Sequence, residues 1–320
     1  MKIAAEYLKR YDEVVAERFK RFGEYYPFRT WDELQKHNHD VFDKYIKDIQ
    51  CDKRKTTRYL DTLSDSLDPF SFYLAFQQRD CQLLNNALYQ SSRRQLLSSA
   101  ITGSGTDHSI FYHALVTAFA CNDFAVFSSF FPKQLPFTKY PFYNSPAMNL
   151  IKVIYYREVE QESPVLDKAQ KFLNKKSPVL DKAVIQYLIA LLQRDADMAS
   201  QALELACVGW QKSRLIDRLG KCFADQVHGL YYFARFIVPD FFARLTRPNH
   251  RCFCAEFDDW QIANHYPKGE LFYHYPAPMA GINNIFAAQI PDVSLIEYKK
   301  NNYYKDEQTF LQNLVIAAAS

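Results

Sequence analysis

Apolar side chains recur every three to four positions through most of the chain. Over residues 2–24, Ile3, Tyr7, Tyr11, Val14, Val15, Phe19 and Phe22 are separated by charged residues, the spacing of one buried helix face. Pro27 ends that segment. Thr30, with Glu33 three residues on, is a capping box for a second helix carrying Trp31, Leu34, Val41, Phe42, Tyr45 and Ile46. Residues 53–102 give two or three more helical segments, one starting at Asp68-Pro69 read as N-cap and first helical position. Residues 102–106 read as a loop, and Asp107 caps a helix through Ile110, Leu115, Val116 and Phe119. Asn122-Asp123 breaks that helix, and a short Phe-rich one runs to Phe131.

The most regular pattern spans 178–238. Val179, Leu180, Ala183, Val184, Tyr187, Leu188 and Leu191 form one helix, and residues 194–197 turn the chain. Met198, Ala202, Leu205, Ala206 and Trp210 form the next, and a third runs from about Lys221 to Phe236, stopped by Pro239. Short turns between amphipathic segments produce antiparallel pairs. The fold class predicted is all-α: an irregular helical bundle or α-solenoid of antiparallel helix pairs, with a loop-rich C-terminal tail. Pro132, Pro136, Pro141 and Pro146 mark a boundary between an N-terminal helical lobe, 1–131, and a C-terminal one, 147–320, unless the two form one continuous domain. Aromatics within the boundary segment predict that it packs against the body. From about residue 240, prolines, histidines and aromatics predict loops, short helices and a short strand near 293–298, and the apolar run at 314–319 predicts the end of a last helix.

One heptapeptide, Ser-Pro-Val-Leu-Asp-Lys-Ala, occurs twice, at 163–169 and 177–183. In each copy serine as N-cap and proline as first residue predict a helix start. The 14-residue period is too short for a stacked repeat, so the duplication reads as local.

Composition narrows the class. Eight glycines in 320 residues are too few for a turn-rich all-β protein. A net charge of +3, from 39 basic and 36 acidic residues, lacks the basic excess of a nucleic-acid binder. The densest basic run, Lys53-Arg54-Lys55 with Arg58, reads as a solvated face. Early charges at Lys2, Glu6, Lys9 and Arg10 predict no signal-peptide core, and no stretch is long enough to predict a membrane span. Seven scattered cysteines predict reduced thiols and a cytoplasmic location.

Residue chemistry offers several candidates. His250, Cys252, Cys254, His265 and His274 are zinc-type ligands within 25 positions, but Cys-x-Cys is a poor hook, and neither a metal nor a cofactor is predicted. His37/His39 and His108/His113 stand off the register that helix-borne metal pairs use. Asp225 and His228, three apart, share a helix face and could orient a base, yet no nucleophile elbow accompanies them. Gly103-Ser104-Gly105 lacks the lysine of a phosphate loop. In the tail, Glu256, Asp258, Asp259, Trp260 and Tyr266 form an acidic–aromatic group suited to a protein interface, with acidic side chains to cover a basic cleft and aromatic anchors.

Three segments carry a family resemblance. A helix pair around the acidic turn at 190–197 is followed by the long helix at 223–235, with Gly229 among small residues, and then by the proline-rich tail. This order resembles the polymorphic-toxin immunity proteins of the Imm49 type over roughly residues 110–285. The resemblance implies a helical cytoplasmic protein that binds and neutralises a cognate toxin without catalysis, and it transfers no site residues. A helical-repeat scaffold for peptide or protein partners is the alternative, and an enzyme with an unrecognised helical active site the third reading.

Overall fold

The computed structural model describes residues 1–23, 27–51, 67–102, 108–139, 141–277, 279–299 and 302–319, and these described residues form a bundle of fifteen α-helices with one small hairpin. The basic run at 53–55, the loop at 103–105 and the Asp107 cap lie outside these residues. The first helices are α1 (Lys2–Phe22), α2 (Trp31–Cys51), α3 (Leu67–Gln78) and α4 (Cys81–Thr102). The capping box forms as read: the Thr30 N–H donates to Glu33 at 3.1 Å, and the Glu33 N–H donates to Thr30 Oγ1 at 3.3 Å. Helix α1 buries Tyr7 and Tyr11 against Phe76 and Tyr73 of α3, with ring centroids 4.5 and 4.3 Å apart. Asp68 does not cap α3 as predicted. It lies inside the first turn, where its carboxylate accepts from Ser91 at 2.8 Å and from Arg94.

At the centre is α5 (Tyr112–Ala120), preceded by a 3₁₀ turn (His108–Phe111) and buried at every position except His113. It packs between α4 and α11 (Asp225–Ile237). The crossing with α11 is close enough that a Cβ on Gly229 would stand 1.8 Å from the Val116 carbonyl oxygen, so only glycine fits there. The chain turns at Asn122, whose φ is positive, into the five-residue α6 (Val126–Phe130).

The proline-rich segment after α6 packs on α7 (Asn144–Tyr156), as its aromatics predicted. Asn149 accepts from the Thr138 N–H and donates to the Thr138 carbonyl. The Lys152 ammonium donates to the carbonyls of Lys133 and Leu135 at 2.8 and 2.6 Å. One hydrophobic core runs through the whole molecule, from Ile3 to Leu314, and helices from both sides of this segment contribute to it.

The two heptapeptide copies diverge. Helix α8 (Val159–Leu173) begins before the first copy, with Glu160 and Glu162 in its favourable acidic first turn, so Ser163 and Pro164 lie inside it. Pro164 there forgoes one backbone hydrogen bond. The second copy sits at a helix start, but with Pro178 just outside α9 (Val179–Gln193) and no serine cap. Helix α10 (Ala196–Lys212) returns antiparallel to α9 after two residues: Arg194 closes α9 in the left-handed conformation, and Asp195 caps α10 by accepting from the Met198 N–H at 2.9 Å.

After α11 come α12 (Pro239–Phe242), α13 (Ala255–Ala263), α14 (Gly281–Ala287), the antiparallel strands β1 (Leu295–Lys299) and β2 (Asn302–Lys305), and α15 (Glu307–Ala319). The tail is strapped to the body by a polar stripe on α4. Gln90 accepts from the Phe272 and Tyr273 N–H groups, Asn85 donates to the Pro267 carbonyl, and Asn86 accepts from the Glu270 N–H. Arg93 completes the stripe, pairing with buried Asp123 at 2.8 Å and donating to the Phe286 and Ala288 carbonyls. No helix among the described residues is long and apolar enough to cross a membrane.

Candidate functional site

The acidic–aromatic residues of the tail fall on α13 and the turn after it, in very different settings. Asp258 is buried, and Arg247 donates to it at 3.1 Å and to Asp259 at 2.5 Å. Burial raises the pKa of Asp258 while the Arg247 guanidinium opposes that rise. Glu256 accepts from the Lys2 N–H at 2.7 Å and so holds the start of α1. Trp260 is half-buried with its ring stacked on Phe257, and Tyr266 lies under the Arg235 guanidinium, 3.9 Å from the ring centroid. Asp259 is the exposed member. Four of the five therefore spend their polar or aromatic surface within the fold.

Asp225 and His228 share α11 but face different partners. Asp225 accepts from Thr117 Oγ1 at 2.5 Å, and burial pushes its carboxyl up to about 6. His228 is fully buried. Its ring stacks on Phe253 with centroids 3.8 Å apart, and its Nε2 accepts from the Cys254 N–H at 3.0 Å. Burial, aided by the nearby Arg247 charge, pushes its pKa down to about 3, so the ring is neutral. The pair that a shared helix face suggested does not form: each side chain closes a separate packing contact.

The zinc-type residues also separate. His265 and His274 are exposed, and Cys254 serves His228. His250 and Cys252 stay together, with His250 Nδ1 3.1 Å from Cys252 Sγ, and the fold adds Cys207 from α10. Sequence spacing missed Cys207 because it lies 45 positions from Cys252; its place on the inward face of α10 was the one available sign.

A largely apolar cleft is built where the α9 start meets the α10 end. A Cβ on Gly209 would stand 2.5 Å from the Leu180 backbone nitrogen, so glycine lets the two helix ends touch. After α10, the chain turns through residues 213–219 and is fastened at both ends: Leu215 N–H donates to Ser213 Oγ, Gly220 N–H to Asp217 Oδ1, and Trp210 Nε1 to the Gly220 carbonyl. This fixed loop holds Leu215 96% exposed. Beside it lies a cleft of ≈ 560 Å³ bordered by Val179, Trp210, Ile216, Tyr143 and His113. His113 Nδ1 is 3.1 Å from Gln226 Oε1, and burial pushes the Asp181 carboxyl up to about 6. Lys212 and Arg214 lie on the rim. No residue of this cleft except His113 was singled out by sequence for chemistry, because its components come from four helices and the segments that connect helices.

Compared with known proteins, the chain matches no family model, no curated protein and no solved structure.

Proposed function

We propose that the protein is a non-catalytic immunity protein that binds and neutralises a cognate protein toxin, using the cleft at the α9–α10 ends as its docking face. The observation that carries this reading is Leu215, held almost wholly in water on a hydrogen-bonded loop beside an apolar cleft with a basic rim. A rigid apolar knob next to a pocket loses little entropy on binding, and this is how hot spots are built. Lys212 and Arg214 favour a partner with acidic groups around its apolar contact. The resemblance of the helix order to immunity proteins supplies the class of partner.

The test is to co-express the chain with the product of its neighbouring gene and score cell survival and co-purification. Protection and a stoichiometric complex are expected. Leu215→Asp should weaken the complex at least tenfold, about 1.4 kcal/mol, with the fold unchanged. Failure to protect against any adjacent gene product would overturn the proposal.

One observation favours a second reading, an enzyme or small-ligand binder. Asp181, pushed up to about 6, borders the same cleft as His113 and Tyr143, and a perturbed carboxyl in a cleft suits proton transfer. Asp181→Asn separates the two: it leaves toxin binding within about twofold on the immunity reading and abolishes turnover on the other.

A further inference from the structure

The side chains of Cys207, His250 and Cys252 present one sulfur, one nitrogen and one sulfur, all within 4.8 Å of one another. Both cysteines are fully buried and His250 is half-buried, so water reaches the group past the imidazole. We propose that these three residues form a metal site for zinc(II) that clamps the tail onto α10.

Three features support it. The first is the donor set. Two thiolates and an imidazole suit zinc, which binds sulfur at about 2.3 Å and imidazole nitrogen at about 2.0 Å, so neighbouring donors in a tetrahedral shell stand roughly 3.5–3.8 Å apart. The observed His250 Nδ1 to Cys252 Sγ separation of 3.1 Å needs only a small rotation to reach that value.

The second is the imidazole. His250 Nδ1 lies 3.1 Å from Cys252 Sγ and accepts only a long 3.4 Å contact from the Cys252 N–H, which places the ring proton on Nε2 and leaves a weakly held lone pair to turn toward an ion. This is the tautomer that a Nδ1 ligand requires.

The third is the scaffold. Glu204, Cys207 and Gln211 lie at i, i+3 and i+7 on one face of α10. Glu204 accepts from the Asn249 N–H at 2.9 Å and Gln211 from Arg251 Nη2 at 2.5 Å. The Cys252 carbonyl accepts from the Ala224 N–H at 2.9 Å. The segment 249–252 is thus held against the helix above, below and behind the three donors, which fixes their geometry before an ion arrives. Binding would break two S–H bonds and form two Zn–S bonds and one Zn–N bond. Two protons leave to solvent, and a water on the open side takes the fourth position.

The test uses the full chain without a histidine tag, freed of metal by a chelator under reducing conditions and titrated with cobalt(II). Strong thiolate-to-cobalt absorption saturating at one equivalent, and displaced by zinc(II), is expected. Cys207→Ser and Cys252→Ser should each abolish the stoichiometric signal, whereas Cys81→Ser, outside the three-donor group, should leave it intact. If the buried cysteine variants fail to fold, His250→Ala, at a half-exposed ring, keeps the question open to decision: it should weaken zinc binding at least about tenfold. Absence of thiolate–cobalt absorption at equimolar metal, or the same absorption in the Cys207→Ser/Cys252→Ser double variant, would overturn the site. So would unaltered zinc affinity in His250→Ala.

Discussion

The ionisable side chains at the centre of this protein act by being held in one protonation state. His228 carries the largest consequence. Its unfolded pKa of about 6.5 falls to about 3 on folding, so the unfolded chain binds more protons in between. Its contribution, of the order of a few kcal/mol, is fully present above about pH 6.5 and is lost as pH falls toward 3. Asp225 works in the opposite direction. Its folded pKa is raised to about 6, so its contribution is present below its unfolded value near 4 and is lost as pH rises through 6. The two partly cancel between pH 4 and 6; below 4 Asp225 adds no slope, and Glu256 and Asp306, whose pKa values are lowered by hydrogen bonds to their carboxylates, add to that of His228. Urea midpoints measured across pH 3–7 should therefore fall steeply at the acid end. His228→Gln, which keeps an acceptor for the Cys254 N–H but takes up no proton, should flatten the profile there; an unchanged slope would show that the ring is not the group responsible.

At the scale of elements, α5 and α11 approach each other closely at Gly229. Adding one methyl group at Gly229 drives carbon into the Val116 carbonyl, which belongs to a helix backbone and cannot rotate away. Gly229→Ala should cost about 1–3 kcal/mol or more, as overpacking does, despite the better helix propensity of alanine. Thermal melts of the variant check this, and a Tm equal to that of the parent would mean that the helices can part. Helices such as these were largely legible in the sequence. The Asp195 turn, the Thr30–Glu33 box and the apolar face of 179–191 are local codes, each written within a few residues. The duplicated heptapeptide shows where local codes stop. Identical residues sit inside α8 in one copy and at the start of α9 in the other, because the residues upstream decide where the helix begins. The candidate sites were less legible for the same reason. Asp258 looks like surface charge until Arg247 is brought to it, and Cys207 looks like a small core residue until Cys252 arrives. Periodicity reports which face is inward, not what waits there.

Across the whole molecule, the proline-rich segment at 132–146 does not divide the core. Tyr156 donates to the Phe131 carbonyl, Lys152 holds Lys133 and Leu135, and Arg93 on the early side is tied to Phe286 and Ala288 on the late side. Contacts this mixed should lose cooperativity together. Near- and far-ultraviolet circular dichroism are expected to report one coincident thermal transition. Two separated transitions, or a stable fragment released by proteolysis within 132–146, would instead establish independent lobes.

The polar stripe on α4 has a consequence for how the protein is made. Asn85, Gln90 and Arg93 leave the ribosome nearly two hundred residues before the Pro267, Tyr273 and Phe286 backbone that satisfies them. Glu256 binds the Lys2 backbone nitrogen across 254 positions. Until synthesis passes residue 288, the nascent chain carries a helix whose inward face bears amides without their tail partners and a guanidinium that has Asp123 but not the Phe286 and Ala288 carbonyls. The contacts between this stripe and the tail therefore form only once residue 288 has been made, so the last packing step waits for the C-terminal part of the chain.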